Sequence, residues 1–127
     1  MNIYGQDEVQ EDDTVEITME SLNELREECK DIIETANAAK RLLTNPDFIT
    51  VIEEGYFDKE PKRLGSLIAS GRMPATQVEG AIEDLKSIGS CVTFLNNIVQ
   101  KGEIANSELE AAEAAYNEAI STDVVDA

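Results

Sequence analysis

Two long stretches of this chain repeat apolar residues at alternating spacings of three and four, and this pattern constrains the fold more than any other feature. Such heptad spacing places apolar side chains on one stripe of an α-helix, which is stable only when it is buried against another helix. We therefore predict two long helices that pack along each other. The stripes consist of Leu22, Leu25, Cys29, Ile32, Ala36, Ala39 and Leu43, and of Val78, Ala81, Leu85, Ile88, Val92, Leu95 and Val99.

Local capping signals indicate where the first long helix and a following short helix begin. Ser21 opens a capping box ahead of the first stripe, and Thr18 is a second candidate one turn earlier. Asn45 is a suitable N-cap for a short helix whose first turn contains Pro46. Gly55 is predicted to end that short helix.

Three further helix starts and two further ends follow along the chain. Pro61 is predicted to open a second short helix, which Gly71 closes. Thr76 begins the capping box of the second long helix, and Gly102 is predicted to end it. Ser107 then begins a third capping box and a C-terminal helix.

Several apolar or small residues outside the stripes are also assigned to the interior. Tyr56 and Phe57 are predicted to be core aromatics. Gly89 lies in the middle of the second long helix, where a small residue indicates the close approach of another backbone. Cys29 and Cys91 fit no metal or redox spacing, and we interpret them as small buried hydrophobes, with a disulfide as the alternative. The second stripe is widened by Ile82, Cys91, Phe94 and Ile98.

The predicted fold is all-α: an elongated antiparallel helical hairpin or bundle, with two short helices at one end and a packed C-terminal helix. Residues 1–17 form an acidic mobile tail, residues 18–121 the helical domain, and residues 122–127 a C-terminal tail. The first tail has no helical period and six acidic residues without a base.

The net charge of −17 argues against direct nucleic-acid binding, because phosphate contacts require clustered Lys and Arg. A partner with a basic surface is the natural complement. In the acidic tail, Ile3, Tyr4 and Val9 are candidate anchors that order on a partner. The locally basic segment offers a second hypothesis, in which Lys59, Lys62 and Arg63 receive an acidic partner instead of forming a solvated helix face.

The sequence lacks histidine and the motifs that usually mark a catalytic site. There is no His, and no phosphate-binding glycine loop or recognisable nucleophile motif is present. The many acidic pairs lie on predicted exposed faces, where they lack the pocket that would separate their pKa values. We therefore predict a non-enzymatic protein without a cofactor or metal site. No apolar run reaches the roughly 20 residues needed to cross a membrane, so a cytoplasmic origin is expected.

Short motifs follow one another in residues 40–95, namely Leu42-Leu43, Asn45-Pro46-Asp47-Phe48, Val51-Ile52, Glu54-Gly55-Tyr56-Phe57, Arg63-Leu64 and Ile88-Gly89. In these motifs the chain resembles small proteins encoded among the virion genes of tailed bacteriophages. The resemblance implies a helical fold and a virion setting, and it implies no site residues. In that setting we expect a protein that is made in the host bacterial cytoplasm, is present in multiple copies or as a homo-oligomer, and binds other phage structural proteins.

Two functions therefore compete at the level of sequence. The first is a structural or assembly component of a tailed-phage particle that binds capsid, neck or tail proteins. The second is an acidic DNA mimic that inhibits a host nucleic-acid-binding protein. A mimic should display its acids in rows along ordered helices, whereas 13 of the 27 acids lie in residues 1–16 and 102–127. Part of those segments is predicted to be unstructured, which favours the first function.

Overall fold

The computed structural model describes the backbone of residues 18–126 and the side chains of residues 18–121, and every regular element in that part of the chain is helical. The all-α class predicted from the heptad stripes is confirmed. The acidic tail, with Ile3, Tyr4 and Val9, lies outside the described residues. The elements are α1 (Met19–Leu43), α2 (Pro46–Phe48), a π-helix (Ile49–Lys59), α3 (Glu60–Ala69) and α4 (Ala75–Asp126).

Helix α1 begins one turn earlier than its capping box predicts. The Ser21 amide donates to Thr18 Oγ1 at 3.0 Å, and the Thr18 amide donates to Ser21 Oγ at 2.9 Å. The Leu22 amide already donates to the Thr18 carbonyl at 2.9 Å, as in an α-helical turn. The assignment of Ser21 as the N-cap is wrong, and Thr18 holds that position. Ser21 instead supplies the return hydrogen bond of the box, a role usually taken by Glu or Gln.

The apolar stripe of α1 is confirmed over most of its length. Ile32 is the exception, because its side chain is 42% exposed while its neighbour Ile33 is half-buried. An α-helix drifts by about 20° per heptad relative to a strict 3.5-residue repeat, so a member of a long stripe can rotate out of the contact. The buried members are Leu22, Cys29, Ala36 and Ala39, and the half-buried members are Leu25 and Leu43.

The segment after α1 is helical without a break from Pro46 to Ala69. Asn45 caps it as predicted, since its side-chain oxygen accepts from the amides of Asp47 at 2.9 Å and Phe48 at 3.1 Å. The predicted end at Gly55 is wrong, because the backbone passes through that residue in the wider π-helical register. The amide of Glu60 donates to the Gly55 carbonyl, five residues earlier.

Pro61 explains why the register widens instead of breaking. In an α-helix, a proline ring clashes with the carbonyl four residues earlier, and its missing N–H leaves one carbonyl unpaired. A π-helical stretch ahead of the proline shifts the hydrogen-bonding register by one residue and relieves that clash. Pro61 therefore lies in the first turn of α3, as predicted, but inside a helical run that is already under way.

The loop between α3 and α4 contains the predicted glycine stop. Gly71 has a φ of +72°, in the left-handed region that favours glycine, and α3 ends two residues before it. The Ser70 hydroxyl donates to the Leu67 carbonyl at 2.7 Å. At the start of α4, the amide of Val78 already donates to the Pro74 carbonyl at 3.0 Å. Thr76 therefore lies inside the first turn, and its assignment as N-cap is wrong.

Helix α4 continues through Gly102 and Ser107 to Asp126, so the predicted helix end and the third capping box are wrong. Gly102 is buried, and a β-carbon built on it would lie only 2.1 Å from the β-carbon of Ala36. Glycine is present there because α1 approaches closely, and the helix does not end. The helical backbone also passes residue 121, the predicted end of the helical domain.

The apolar stripe of α4 is confirmed, but its predicted widening is mostly wrong. Ala81 and Ile88 are buried, and the other members are half-buried. Of the four widening residues, only Ile98 is half-buried, whereas Ile82, Cys91 and Phe94 are exposed. Their angular positions place them on the flank or the outer side of α4. The predicted close approach at Gly89 is also wrong, since nothing lies within 4 Å of a β-carbon built on that residue.

The described chain divides into two compact units. The acidic unit comprises residues 18–31 and 104–126, and the core unit comprises Ile32–Glu103. The core unit contains a cluster built on Leu64, Ala81 and Ile88. Phe57 packs against this cluster as predicted, together with Ile68, Met73 and Leu85.

The remaining aromatic and cysteine assignments have mixed outcomes. Phe48 meets Phe57 edge to face, with ring centroids 6.5 Å apart. Tyr56 stays 37% exposed, so its assignment to the core is wrong. Both thiols are free: Cys29 is buried as predicted and Cys91 is exposed.

Candidate binding surfaces

The acidic unit presents a row of carboxylates along the first half of α1. Glu20, Glu24, Glu27 and Asp31 are all exposed and follow one another at spacings of four, three and four. Residues at this spacing share one face of a helix. The buried side chains of Leu22 and Cys29 hold the opposite face against the interior, so the carboxylates point away from it. We call these four residues the acidic row.

A shallow groove beside the acidic row is lined by Met19, Asn23 and the row's neighbour Glu28, together with three of its members. Met19 is nearly half exposed there. The thioether of methionine is flexible and polarizable, so it adapts to apolar surfaces of different shapes. The groove therefore combines negative charge with one adaptable apolar contact, which suits a basic, partly apolar partner.

One ion pair joins α1 to α4 within the acidic unit. Arg26 donates to the Glu113 carboxylate through Nε at 3.3 Å and through a terminal nitrogen at 3.2 Å, and it also donates to Asn23 Oδ1 at 3.0 Å. Ala105 of α4 is buried in the same unit. Because both charged groups are about 40% exposed, the pair contributes orientation more than stability.

The charge of the described chain is concentrated in the acidic unit. Residues 18–31 and 104–126 contain eleven acidic residues and two basic ones, a net charge of −9. The core unit contains ten acidic and eight basic residues, a net charge of −2. A surface with one sign of charge attracts oppositely charged partners over about a Debye length, near 8 Å at physiological salt.

The basic residues proposed as a docking point are largely paired within their own helical segment. Lys62 lies 3.1 Å from Asp58, one turn earlier. Arg63 forms a two-pronged hydrogen bond with Glu60, which lowers the pKa of the Glu60 carboxyl and raises the pKa of the Arg63 guanidinium. Lys59 ends the π-helix and is exposed. The structure therefore brings these three residues together, with two of them already neutralised locally.

A second exposed surface was not recognised from the sequence. On the side of α4 opposite its apolar stripe lies a shallow groove, and beside it the Phe94 side chain is 63% exposed. Residues 85–102 contain no acidic residue, although acids make up 27 of the 127 residues of the chain. The absence of acidic residues from this stretch is the sequence feature that could have indicated the surface. The residues lining the groove are Lys86, Gly89, Ser90, Thr93, Phe94 and Asn97.

Among the described residues, no group of three or more His, Cys, Asp or Glu side chains is placed to hold a metal ion. Within residues 18–126, no helix combines the length and apolar character required to cross a membrane.

Comparisons of the chain with protein-family models, with curated proteins and with solved structures find no match. The functional assignment therefore depends on the surfaces described above and on the resemblance of residues 40–95.

Proposed function

We propose that this protein is a non-enzymatic assembly component of a tailed-phage particle, and that its acidic unit binds a basic surface on a capsid, neck or tail protein. The observation that carries the proposal is the separation of charge between the two units. Over residues 18–126, a charge of −9 on one unit and −2 on the other makes the acidic unit the more attractive of the two to a basic partner.

The acidic row supports a protein partner because its charges are ordered and exposed at the same time. Asp31 lies eleven positions after Glu20, so the four carboxylates extend over about 16 Å of helix axis at 1.5 Å per residue. Charged surfaces of this kind speed association and orient the partner, whereas lasting affinity comes from apolar contacts. Among the described residues, Met19 is the exposed apolar side chain next to the acidic row in sequence. Ile3, Tyr4 and Val9 remain candidate anchors.

The alternative function, DNA mimicry, gains one observation from the structure. Part of the argument against it is the prediction that residues 102–127 are partly unstructured, but α4 is helical to Asp126, so the acids of that segment lie on an ordered helix. Charge density still favours a protein partner. The acidic row offers about one carboxylate per 5 Å of axis, whereas one DNA strand carries a phosphate about every 3.4 Å. Arg26 and Lys30 also interrupt the α1 surface.

The predicted hairpin architecture is part of the same proposal. Within the acidic unit, Arg26 of α1 contacts Glu113 of α4, and within the core unit, Ala36 of α1 contacts Gly102 of α4. The later residue of α1 therefore contacts the earlier residue of α4, which is the order expected of antiparallel helices. We propose that α1 and α4 form an antiparallel pair, with the helical run 46–69 as the connection between them.

Purified particles provide the direct test. Mass spectrometry of the phage particles should find this chain at a fixed stoichiometry relative to the major structural proteins. The variant Glu24→Gln/Glu27→Gln should then be incorporated less efficiently, because it removes two charges from the acidic row without touching a buried residue. The difference between the variant and the wild type should be largest at low salt and should shrink as salt is raised, because salt screens the attraction that the two removed charges supply.

A matched control comes from the core unit. The variant Glu79→Gln/Asp84→Asn also removes two negative charges, here from exposed positions of α4. Its incorporation should equal that of the wild type. Equal loss in both variants would mean that total charge, not the acidic row, determines binding. Absence of the chain from particles, combined with competition against DNA for a nucleic-acid-binding protein, would replace the proposal with the mimic.

A further inference from the structure

We infer that the outer face of α4 is a self-association surface, which pairs with the same face of a second copy in antiparallel orientation. The inference rests on the pattern of exposed side chains in the core unit and does not depend on the proposed function. The surface, called the outer stripe, consists of Glu83, Ser87, Ser90, Phe94, Asn97 and Lys101, all of which are exposed.

The spacing of the outer stripe is that of a helix-pairing seam. Its members follow one another at intervals of four, three, four, three and four, so they lie on one face over about 27 Å of helix. Within residues 18–121, the apolar stripe of α4 on the opposite face is occupied by the protein's own core. The outer stripe is thus the face of α4 that remains available to a partner.

The sequence of the outer stripe is self-complementary about a point at residue 92. A two-fold axis there places residue i opposite residue 184 − i of the second copy, as required of an isologous interface. Phe94 then faces Ser90 of the second copy, so each large aromatic ring meets a small side chain. Each copy therefore contributes one large side chain and one small receiving site.

The outer pairs of the same arrangement are complementary in charge and polarity. Glu83 of one copy lies opposite Lys101 of the other, and this pair occurs twice because of the symmetry. Ser87 lies opposite Asn97, and both can donate and accept hydrogen bonds. In a parallel arrangement in register, Glu83 would face Glu83 and Lys101 would face Lys101, which is repulsive. The charges therefore favour the antiparallel pairing.

The acid-free stretch explains how two chains of net charge −17 can meet at this face. Residues 85–102 contribute only Lys86 and Lys101 to the charge. The ion pair that Lys86 makes with Glu83 is 3.5 Å long, and both side chains are about 70% exposed. Such an exposed pair is weak, so Glu83 can exchange Lys86 for Lys101 of the second copy.

One helix face is small beside the roughly 1,200–2,000 Å² of stable interfaces, so the dimer should be concentration-dependent.

Sedimentation equilibrium over a wide concentration range tests the inference on the full chain. The wild type should pass from monomer to dimer as concentration rises, and Phe94→Asp should remain monomeric. Val51→Asp is the matched control, because Val51 is also 63% exposed and belongs to the same unit. It should dimerise like the wild type. Circular dichroism should show equal helicity for both variants, since neither replaced side chain is buried.

Charge reversal tests the antiparallel register separately. Glu83→Lys and Lys101→Glu should each raise the dimer dissociation constant about tenfold or more, because each places like charges opposite each other twice. The double variant should restore dimerisation. A wild type that is monomeric throughout, equal effects of Phe94→Asp and Val51→Asp, or a double variant without rescue would each overturn the inference.

Discussion

Replacing Gly102 by Ala should leave this protein unchanged in stability or less stable, although the same change at most helical positions stabilises. An added β-carbon would lie 2.1 Å from the β-carbon of Ala36, 3.6 Å from its α-carbon and 3.8 Å from the Ile32 carbonyl oxygen. The β-carbon of Ala36 is fixed to the backbone and cannot rotate away. Helices α1 and α4 must therefore move apart locally to restore a normal contact of about 3.5–4 Å.

The magnitude follows from two opposing effects. Gly→Ala in a helix interior gains about 1 kcal/mol, because alanine loses less conformational entropy on folding. Overpacking a well-packed contact costs about 1–3 kcal/mol. The sum predicts a free energy of unfolding that is unchanged or lower by up to about 2 kcal/mol for Gly102→Ala.

Gly80→Ala isolates the packing effect. Gly80 also lies within α4 of the core unit, but nothing lies within 4 Å of a β-carbon built on it. It should gain the full helix propensity of about 1 kcal/mol. Both variants have the same gain in helix propensity, so the difference between their free energies of unfolding is the packing cost. Urea unfolding followed by circular dichroism should therefore show a difference of about 1–3 kcal/mol.

A rescue variant completes the test. Ala36→Gly removes the β-carbon that the new one would meet, so Gly102→Ala/Ala36→Gly should recover the packing cost and show a favourable coupling energy in a double-mutant cycle. If Gly102→Ala stabilises the protein as much as Gly80→Ala does, the close approach of α1 and α4 at this position does not exist.

Three further outcomes are expected. Ile88→Ala should lower the free energy of unfolding by about 2–5 kcal/mol, whereas Ile32→Ala, at a largely exposed position, should cost about 1 kcal/mol or less; similar losses in urea unfolding would contradict the assigned burial. Thr18→Ala should lower stability by about 1 kcal/mol through loss of the N-cap, and an unchanged thermal melting curve would argue against that cap. Arg63→Gln should raise the pKa of Glu60, which NMR titration of that carboxyl can measure. In the wild type, ionisation of Glu60 contributes stability above the unfolded-state pKa, and this contribution is lost as pH falls through the lower folded-state pKa; in the variant it should be absent.

The apolar stripes were predictable from the sequence because burial on a helix depends on a repeating pattern that many residues share. Leu22, Cys29 and Ile88 are buried as predicted, and a single misplaced member such as Ile32 does not change the assignment. The Asn45 cap was predictable for a related reason, since its hydrogen bonds reach only two and three residues along the chain. Features set by local or periodic chemistry are thus readable from one sequence.

The roles of the two glycines inside α4 were not predictable, because each depends on what lies across from it, whereas the helix stop at Gly71 was predicted correctly. The sequence predicts a helix end at Gly102 and a close contact at Gly89, whereas α4 continues through both and the close contact is at Gly102. The proximity of Ala36 of α1 to Gly102 is what distinguishes the two positions. The prediction for Gly55 is wrong for a different reason, because the helix continues through it in a wider register ahead of Pro61. The groove beside Phe94 was missed because that apolar side chain was assigned to the stripe, although its angular position lies on the outer side of α4.

The unequal burial of the two thiols gives this protein a built-in reporter of local opening. Cys91 is exposed and should react with an alkylating reagent at once, whereas Cys29 is 4% exposed in the acidic unit and can react only when that unit opens. The delay between the two modifications, followed by intact-protein mass spectrometry, measures the opening free energy of the acidic unit without any substitution. Slower alkylation of Cys29 in the presence of a basic partner would then report binding at that unit through the chemistry of the native chain.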